Sequence, residues 1–402
     1  MLVRSPEAHE VEAVLACSEA AYGLRYPPLL RARLLDRVGK GAFRCAVAPD
    51  GEIVGVAAAY DLELTVPGPA LLPVVGWSEI AVLPTWRRRG VLRALVDTLL
   101  GEAAAIGRAG VVLFASEGGI YGRFGFAPAC HAAHYRLERS RATLAHEPSG
   151  SGAVRLLRLE EARSALPAVL ELARRARAGE IDRAANAWSD LLDEGQAAGA
   201  ARFVCAYEDT GRIDGYAVYD VGPHSSGEGG RELEVVELVG LHPAAEAALW
   251  AYLLGTDLVD RVVTAERPVD EPLRHLLADA RALETRSVED HLWLGLLDPA
   301  AALAARRYAA SGALVVEVVG PPAAPVRLQL EADPVGAAIV GPTDRPVELR
   351  LDGAALAAAY LGGTTLGALA RAGRVEERRP GALRRADGLF ATGAAPFCTA
   401  DI

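Results

Sequence analysis

The stretch Glu79-Ile80-Ala81-Val82-Leu83-Pro84-Thr85-Trp86-Arg87-Arg88-Arg89-Gly90-Val91-Leu92-Arg93 decides how this chain is read. An apolar strand, Ile80 to Val82, enters a Pro84-Thr85 turn, crosses three arginines and a glycine, and runs straight into a Leu/Ala-rich helix from Arg89 to Ala105. A helix start exposes unpaired N–H groups and the positive end of the helix dipole, so it holds phosphate readily. Gly90 lets the backbone come close to a ligand, and the flanking arginines add charge-assisted hydrogen bonds. The reading is a pyrophosphate turn. The plainer alternative is an Arg-rich exposed helix start in an Arg-rich protein, since all but one of the 42 basic residues are arginine.

Downstream lies Ala115-Ser116-Glu117-Gly118-Gly119-Ile120-Tyr121-Gly122-Arg123-Phe124-Gly125-Phe126, after the short apolar strand Val111 to Ala115. Its glycines fit neither the dinucleotide GxGxxG nor a Walker loop. A strand ending in Ser-Glu-Gly-Gly, then a turn with Tyr, Arg and two Phe, suggests a small helix packed over a cofactor. From periodicity alone Tyr121 reads first as a packed core tyrosine with its hydroxyl satisfied.

Around these motifs the chain alternates element types. Glu7 to Ala21 is helical, and Phe43 to Ala48, Ile53 to Leu62, Leu64 to Val66 and Val74 to Val82 read as strands. The polar run Thr143 to Gly152 marks a first boundary, giving a domain over 1–150. The segment 151–297 repeats the grammar: helices at Leu159–Arg177 and Ala184–Glu194, strands at Phe203–Tyr207, Gly215–Asp220 and Glu232–Leu241, and a loop at Ser225–Gly230. Glu237-Leu238-Val239-Gly240-Leu241-His242-Pro243 precedes its helix as Glu79-Ile80-Ala81-Val82-Leu83-Pro84 precedes the first, which points to a degenerate internal duplication. The segment 298–402 carries helices at both ends of a small alternating sheet, an α+β module, and ends in the tail Gly393–Ile402.

The 402 residues exceed one ordinary core, and 51% hydrophobic residues with 23% charged exclude a largely disordered chain. A net charge of −10 disfavours nucleic acid and anionic membranes as partners. Cys17, Cys45, Cys130, Cys205 and Cys398 are scattered, without CxxC spacing, which argues against a disulfide framework or structural zinc and for a reducing cytoplasm. No window approaches the ~18 apolar residues of a spanning helix.

Together the two motifs resemble the Gcn5-related N-acetyltransferase (GNAT) superfamily, with Arg87 and Gly90 in its pyrophosphate-loop slots and Leu92 in place of the usual small residue. The nearer resemblance is to the Eis (enhanced intracellular survival) family. Pro84 to Arg93 and Ala115 to Gly125 match its signature strings, and Leu64-Thr-Val-Pro-Gly68 and Leu292-Trp-Leu294 also look family-like. The resemblance implies an α/β (α+β) chain of two tandem GNAT-like mixed-sheet domains, the second degenerate, followed by a sterol-carrier-protein-like α+β domain. It implies acetyl-CoA as co-substrate, no metal, a small cationic amine as acceptor and a homohexamer.

Carried over residue by residue, the resemblance has Ile80, Ala81 and Val82 offering strand backbone to the pantetheine arm. Arg88, Arg89, Gly90, Val91, Leu92 and Arg93 would hold the pyrophosphate, with Ser116 and Glu117 flanking the cofactor. Tyr121 would be the general acid and the carboxylate of Ile402 the general base. Glu79 and Asp401 are further candidates for lining an amine pocket, though each also reads as a solvated carboxylate. Where the first half carries three arginines and a glycine, the second has Pro243-Ala244-Ala245-Glu246, so one acetyl-CoA site per chain is expected. The competing reading is a lipid or sterol carrier that uses the C-terminal domain.

Overall fold

The computed structural model describes residues 1–68, 70–197, 201–222, 230–400 and 402. These form two compact units: Met1–Ala129 with Leu292–Ala391 and Ile402, and Cys130–His291 with Thr392–Asp401.

The first unit is built on a seven-stranded sheet. Its strands are β1 (Leu2–Arg4), β2 (Phe43–Val47), β3 (Ile53–Val66), β4 (Ala70–Val82), β5 (Gly110–Phe114) and β6 (Ala127–Pro128). The seventh strand, Leu292–Leu296, lies between β5 and β6 and pairs antiparallel with both. Two helices, α1 (Val11–Tyr22) and α2 (Pro28–Gly39), cover one face and bury Val14, Leu15, Leu34 and Val38 against Phe43, Cys45, Val56 and Ala58. The other face takes α3 (Val91–Ala105), whose Val91, Leu95, Leu99 and Ala103 recur at helical spacing and pack on Val54, Ala57, Val75 and Trp77. The sequence reading had no place for α2, although Pro28 stands at its first position and Leu30, Leu34 and Val38 mark its inner stripe.

The same unit holds a five-stranded sheet in the order Ile339–Pro342, Val326–Ala332, Gly312–Val319, Leu349–Asp352, Val375–Glu377. Arg306 organises this α+β module. It is fully buried, and its guanidinium donates to the carbonyl of Tyr360 and, at 3.1 Å, to that of Phe390. These carbonyls end the helices Gly353–Tyr360 and Ala382–Phe390. Two helix C-termini, each carrying about half a negative charge, offset the buried cation without a carboxylate, and the Phe390, Tyr308 and Tyr360 rings surround it at 4.3, 4.8 and 5.9 Å.

Two of the family-like strings are packing features of this unit. Arg307 N donates to the carbonyl of Pro67 at 2.7 Å, which fixes the β3–β4 turn against the module. At Gly125 a Cβ would stand 1.9 Å from the Pro321 carbonyl oxygen, so only glycine allows that approach.

The second unit is an eight-stranded sheet. Its helix Pro243–Leu254 packs on one face, and Leu159–Arg174 and Ala185–Ala197 pack on the other. Its strands include His131–Glu138 and Glu284–Asp290, which sequence reading did not assign. Ala133, Tyr135 and Leu137 alternate inward in the former, with His134 and Arg136 between them on the other face. Most of the loop expected at Ser225–Gly230 lies outside the described residues.

Candidate active site

The ladder between β4 and β5 is short. These strands pair in parallel from Val74–Gly110 to Trp77–Leu113, so among the described residues Ser78 to Val82 pair with β3 alone. Apart from the Ile80 carbonyl, which the Tyr22 hydroxyl reaches at 3.2 Å, backbone groups on the other edge of that segment are open to an extended ligand. Where the pairing stops β4 bulges: Ala81 faces Val56 and Ser78 faces Ala58, leaving Glu79 and Ile80 against Ala57. Glu79 has φ 51°, a left-handed conformation strained for a residue with a side chain.

The expected pyrophosphate turn follows. A 3-10 turn, Pro84–Trp86, leads to Arg88 at φ 64° and to Gly90 at φ 83°, the N-cap of α3. No side chain caps α3, and the space beside Gly90 is open, so the first-turn N–H groups face no ligand of the chain's own making. Arg87 to Gly90 are exposed. Arg87 is turned back to donate to the Ala21 carbonyl at 3.0 Å, while the Arg89 guanidinium lies over the Trp86 ring at 5.0 Å.

Tyr121 sits after β5 in an aromatic group with Phe126 and Trp293, ring centroids 6.2 and 6.5 Å away. Its ring is packed, as periodicity suggested, yet among the described residues its hydroxyl has no hydrogen-bond partner. Burial pushes the phenol up to about 12, and nearby Glu117 adds to the effect. Ser116 and Glu117 are exposed at the end of β5.

On the other side of the bulge, Glu79 accepts hydrogen bonds from Ser18 Oγ at 2.8 Å and Tyr26 Oη at 2.5 Å. The Tyr22 hydroxyl donates to the Ile80 carbonyl at 3.2 Å. Burial raises the Tyr22 phenol, with contributions from both Glu79 and Tyr121, which ties this cluster electrostatically to the aromatic group. Sequence reading missed Ser18, Tyr22 and Tyr26. The first two are four apart on α1 and share a face, a polar pair in an otherwise Ala-rich helix.

Ile402 lies against β4: Ser78 Oγ donates to its main-chain oxygen at 2.9 Å. Its side chain rests over Gly76, where an added Cβ would come within 3.0 Å of Cδ1. Trp77, between them, belongs to the core that holds Tyr121. Asp401 lies outside the described residues. Among the described residues, no group of three or more His, Cys, Asp or Glu could hold a metal ion, and no helix is long and apolar enough to cross a membrane.

Acetyltransferase (GNAT) domain families match residues 2–129 and 179–306, and a sterol carrier protein domain family matches 299–399. N-acetyltransferase Eis of Mycobacterium tuberculosis is 39% identical over 281 residues, covering 69% of this chain and 68% of the relative. The chain belongs to the Eis family of GNAT N-acetyltransferases. An uncharacterized N-acetyltransferase of Streptomyces coelicolor is 37% identical over 87% of this chain and 86% of its own length. The crystal structure of Eis1 from Mycobacterium abscessus superimposes with TM-score 0.89 at 33% identity, covering 100% of both chains. The expected architecture, two GNAT-like mixed-sheet domains and a sterol-carrier-like α+β domain, is the one observed, and the chain is an acetyltransferase.

The second GNAT-like fold repeats the strand geometry with different occupants. Glu232–Gly240 pairs in parallel with Arg261–Thr264 only as far as Val235–Thr264, and it bulges just beyond, before Glu237. There the Leu238 carbonyl, counterpart of Ile80's, accepts from buried Arg267 at 2.6 Å, and Arg267 is paired with Glu271 at 2.8 Å. The helix start is capped from within: His242 Nδ1 accepts from Ala245 N at 3.2 Å, and Glu246 occupies the first turn.

Proposed function

We propose that the chain transfers an acetyl group directly from acetyl-CoA to primary amines of small cationic substrates, such as aminoglycoside-like compounds, polyamines or lysine side chains. We place the catalytic domain, with one acetyl-CoA site, on Met1–Ala129 and the strand Leu292–Leu296, its degenerate copy on Cys130–His291 and the tail in 298–402. The expected boundaries at 150 and 297 cut across the sheets, since His131–Glu138 pairs in the second and Leu292–Leu296 in the first. The observation that carries the reading is the conjunction of a free β4 edge, an uncapped Arg-flanked helix start and a buried, unpartnered tyrosine.

Ile80, Ala81 and Val82 receive the pantetheine arm on the free edge of β4, and the loop Arg88 to Arg93 receives the pyrophosphate, with Ser116 and Glu117 beside it. N–H groups near Val82 polarise the thioester carbonyl. The amine attacks that carbon, a C–N bond forms and the C–S bond breaks. The Ile402 carboxylate orients the amine and takes its proton, directly or through water. Tyr121 supplies a proton to the departing thiolate. A phenol held near 12 stays protonated in the resting enzyme, and a cationic acceptor beside it favours phenolate and lowers that value, so donation is coupled to amine binding. Glu79 lines the amine side, as does Asp401.

We further propose that the enzyme works in the cytoplasm as a homohexamer; its five cysteines are buried and none is in a disulfide, as suits a reducing compartment. Light scattering that gave a stable 42.2 kDa species would overturn the hexamer. A screen of aminoglycosides, polyamines and lysine peptides for release of CoA thiol tests the activity. Turnover with none of them would refute the substrate class.

A further inference from the structure

Two arginines converge on one ring at the mouth of the candidate site. Arg93, in the first turn of α3, holds its guanidinium 5.5 Å from the centroid of Phe124, and Arg123, from the turn after β5, holds its own 5.2 Å from the same ring. Both side chains are exposed, whereas Phe124 is buried and fixed in the core that contains Tyr121. Among the described residues neither arginine has a hydrogen bond or an ion pair. For Arg93 this is informative, because Asp97 stands one turn further along α3, at the spacing where helical ion pairs form. Two guanidinia thus lie on one buried ring without a carboxylate partner among the described residues, an arrangement open to an external anion.

We propose that Arg123, on the same Phe124 ring as Arg93 of the pyrophosphate loop, forms a subsite for the 3′-phosphate monoester of the adenosine end of acetyl-CoA. This rests on the acetyl-CoA reading of the β4 edge and the α3 start. The backbone N–H groups around Gly90 suit a pyrophosphate, which approaches main chain closely. A terminal phosphate monoester instead carries close to two charges and three exposed oxygens, and side-chain guanidinia on a rigid platform match it. Arg123 comes from the turn after β5, not from the loop that carries Arg88 and Arg89. The second GNAT-like fold has the opposite arrangement: the arginine after its corresponding strand, Arg267, is buried and paired with Glu271.

The test is calorimetric titration of the full chain with acetyl-CoA and with 3′-dephospho-acetyl-CoA. The wild type should bind acetyl-CoA about tenfold or more tightly than the dephospho form, the scale of one charged hydrogen bond. Arg123→Ala should weaken acetyl-CoA by that factor and leave dephospho-acetyl-CoA unchanged, so that the two affinities converge. Arg123→Lys should restore part of the discrimination, and adenosine 3′,5′-bisphosphate should compete with acetyl-CoA in the wild type but weakly in Arg123→Ala. Equal losses for both ligands, or none, would overturn the subsite while leaving the acetyl-CoA site standing. Failure of the wild type to bind either ligand would overturn the acetyl-CoA reading, and the subsite with it.

Discussion

Glu180 offers a test in which the structure sets both sign and size. Its carboxylate is 4% exposed. Thr399 N donates to it at 2.9 Å and the Thr399 hydroxyl donates to its other oxygen, which fixes the tail segment within the second unit. Burial raises this carboxyl from 4.5 to about 7; the Thr399 donors and Arg183 oppose the rise, and Glu237 adds to it. The folded group therefore holds its proton over a range in which the unfolded one does not. The resulting stability is complete below pH 4.5 and is lost as pH climbs through 7, a swing of roughly 3 kcal/mol. Glu180→Gln keeps an oxygen to accept from Thr399 N and cannot ionise. Relative to wild type it should be near neutral at pH 4.5 and more stable by about that amount at pH 8. Hydrogen exchange at Phe397 and Thr399, whose amides bond the Ala178 carbonyl and Glu180, reports the opening of this segment without assuming that both units unfold together. A difference between variant and wild type that does not change with pH, or a variant less protected at pH 8, would refute the reasoning.

Three further outcomes bear on catalysis. Tyr121→Phe removes the proton donor and keeps the packed ring, so kcat should drop by about 10²–10⁴ with the acetyl-CoA dissociation constant unchanged; an unaltered kcat removes Tyr121 from the chemistry. Arg88→Ala with Arg89→Ala should weaken acetyl-CoA by about 1.5–3 kcal/mol per lost charged contact, measured by calorimetry. Ser78→Ala deletes the hydrogen bond to Ile402 and should lower kcat by about tenfold with acetyl-CoA binding intact; full turnover in steady-state assays would separate Ile402 from the reaction.

The part of this fold that can be read in the sequence is the part built from local rules. The strand, turn and helix from Glu79 to Ala105 announce themselves through a proline, a glycine and helical spacing, and the same grammar near Glu237 exposes the duplication. Long-range placement is not local, and it is where reading failed. Nothing around residue 292 says that Leu292–Leu296 inserts between β5 and β6, because that depends on which strand edge is open. The Ser18–Tyr26–Glu79 cluster needs α1 to be docked before its hydroxyls have a partner. Gly125 illustrates a third case: the motif was legible, but its reason, the Pro321 carbonyl, lies in another domain.

The two GNAT-like folds show that strand geometry alone does not make a cofactor site. Both part a parallel pair after a few residues and both bulge just beyond, so both offer an unpaired edge. Buried backbone polar groups are costly when unpaired, and in the second fold the chain meets that requirement internally. Arg267 takes the Leu238 carbonyl, and His242 takes a first-turn amide. Glu237, the counterpart of Glu79, is buried with Arg183, which bonds it at 2.6 Å and also donates to the Thr399 carbonyl at 3.0 Å. The equivalent groups of the first fold have weaker claims upon them: the neutral Tyr22 hydroxyl reaches Ile80 at 3.2 Å, and no side chain caps α3. An edge satisfied by buried ion pairs cannot exchange them for a ligand without stranding a charge, at a cost of several kcal/mol. An edge without such pairs can, and that difference in satisfaction, more than the difference in arginine count, supports the proposal of a single acetyl-CoA site per chain.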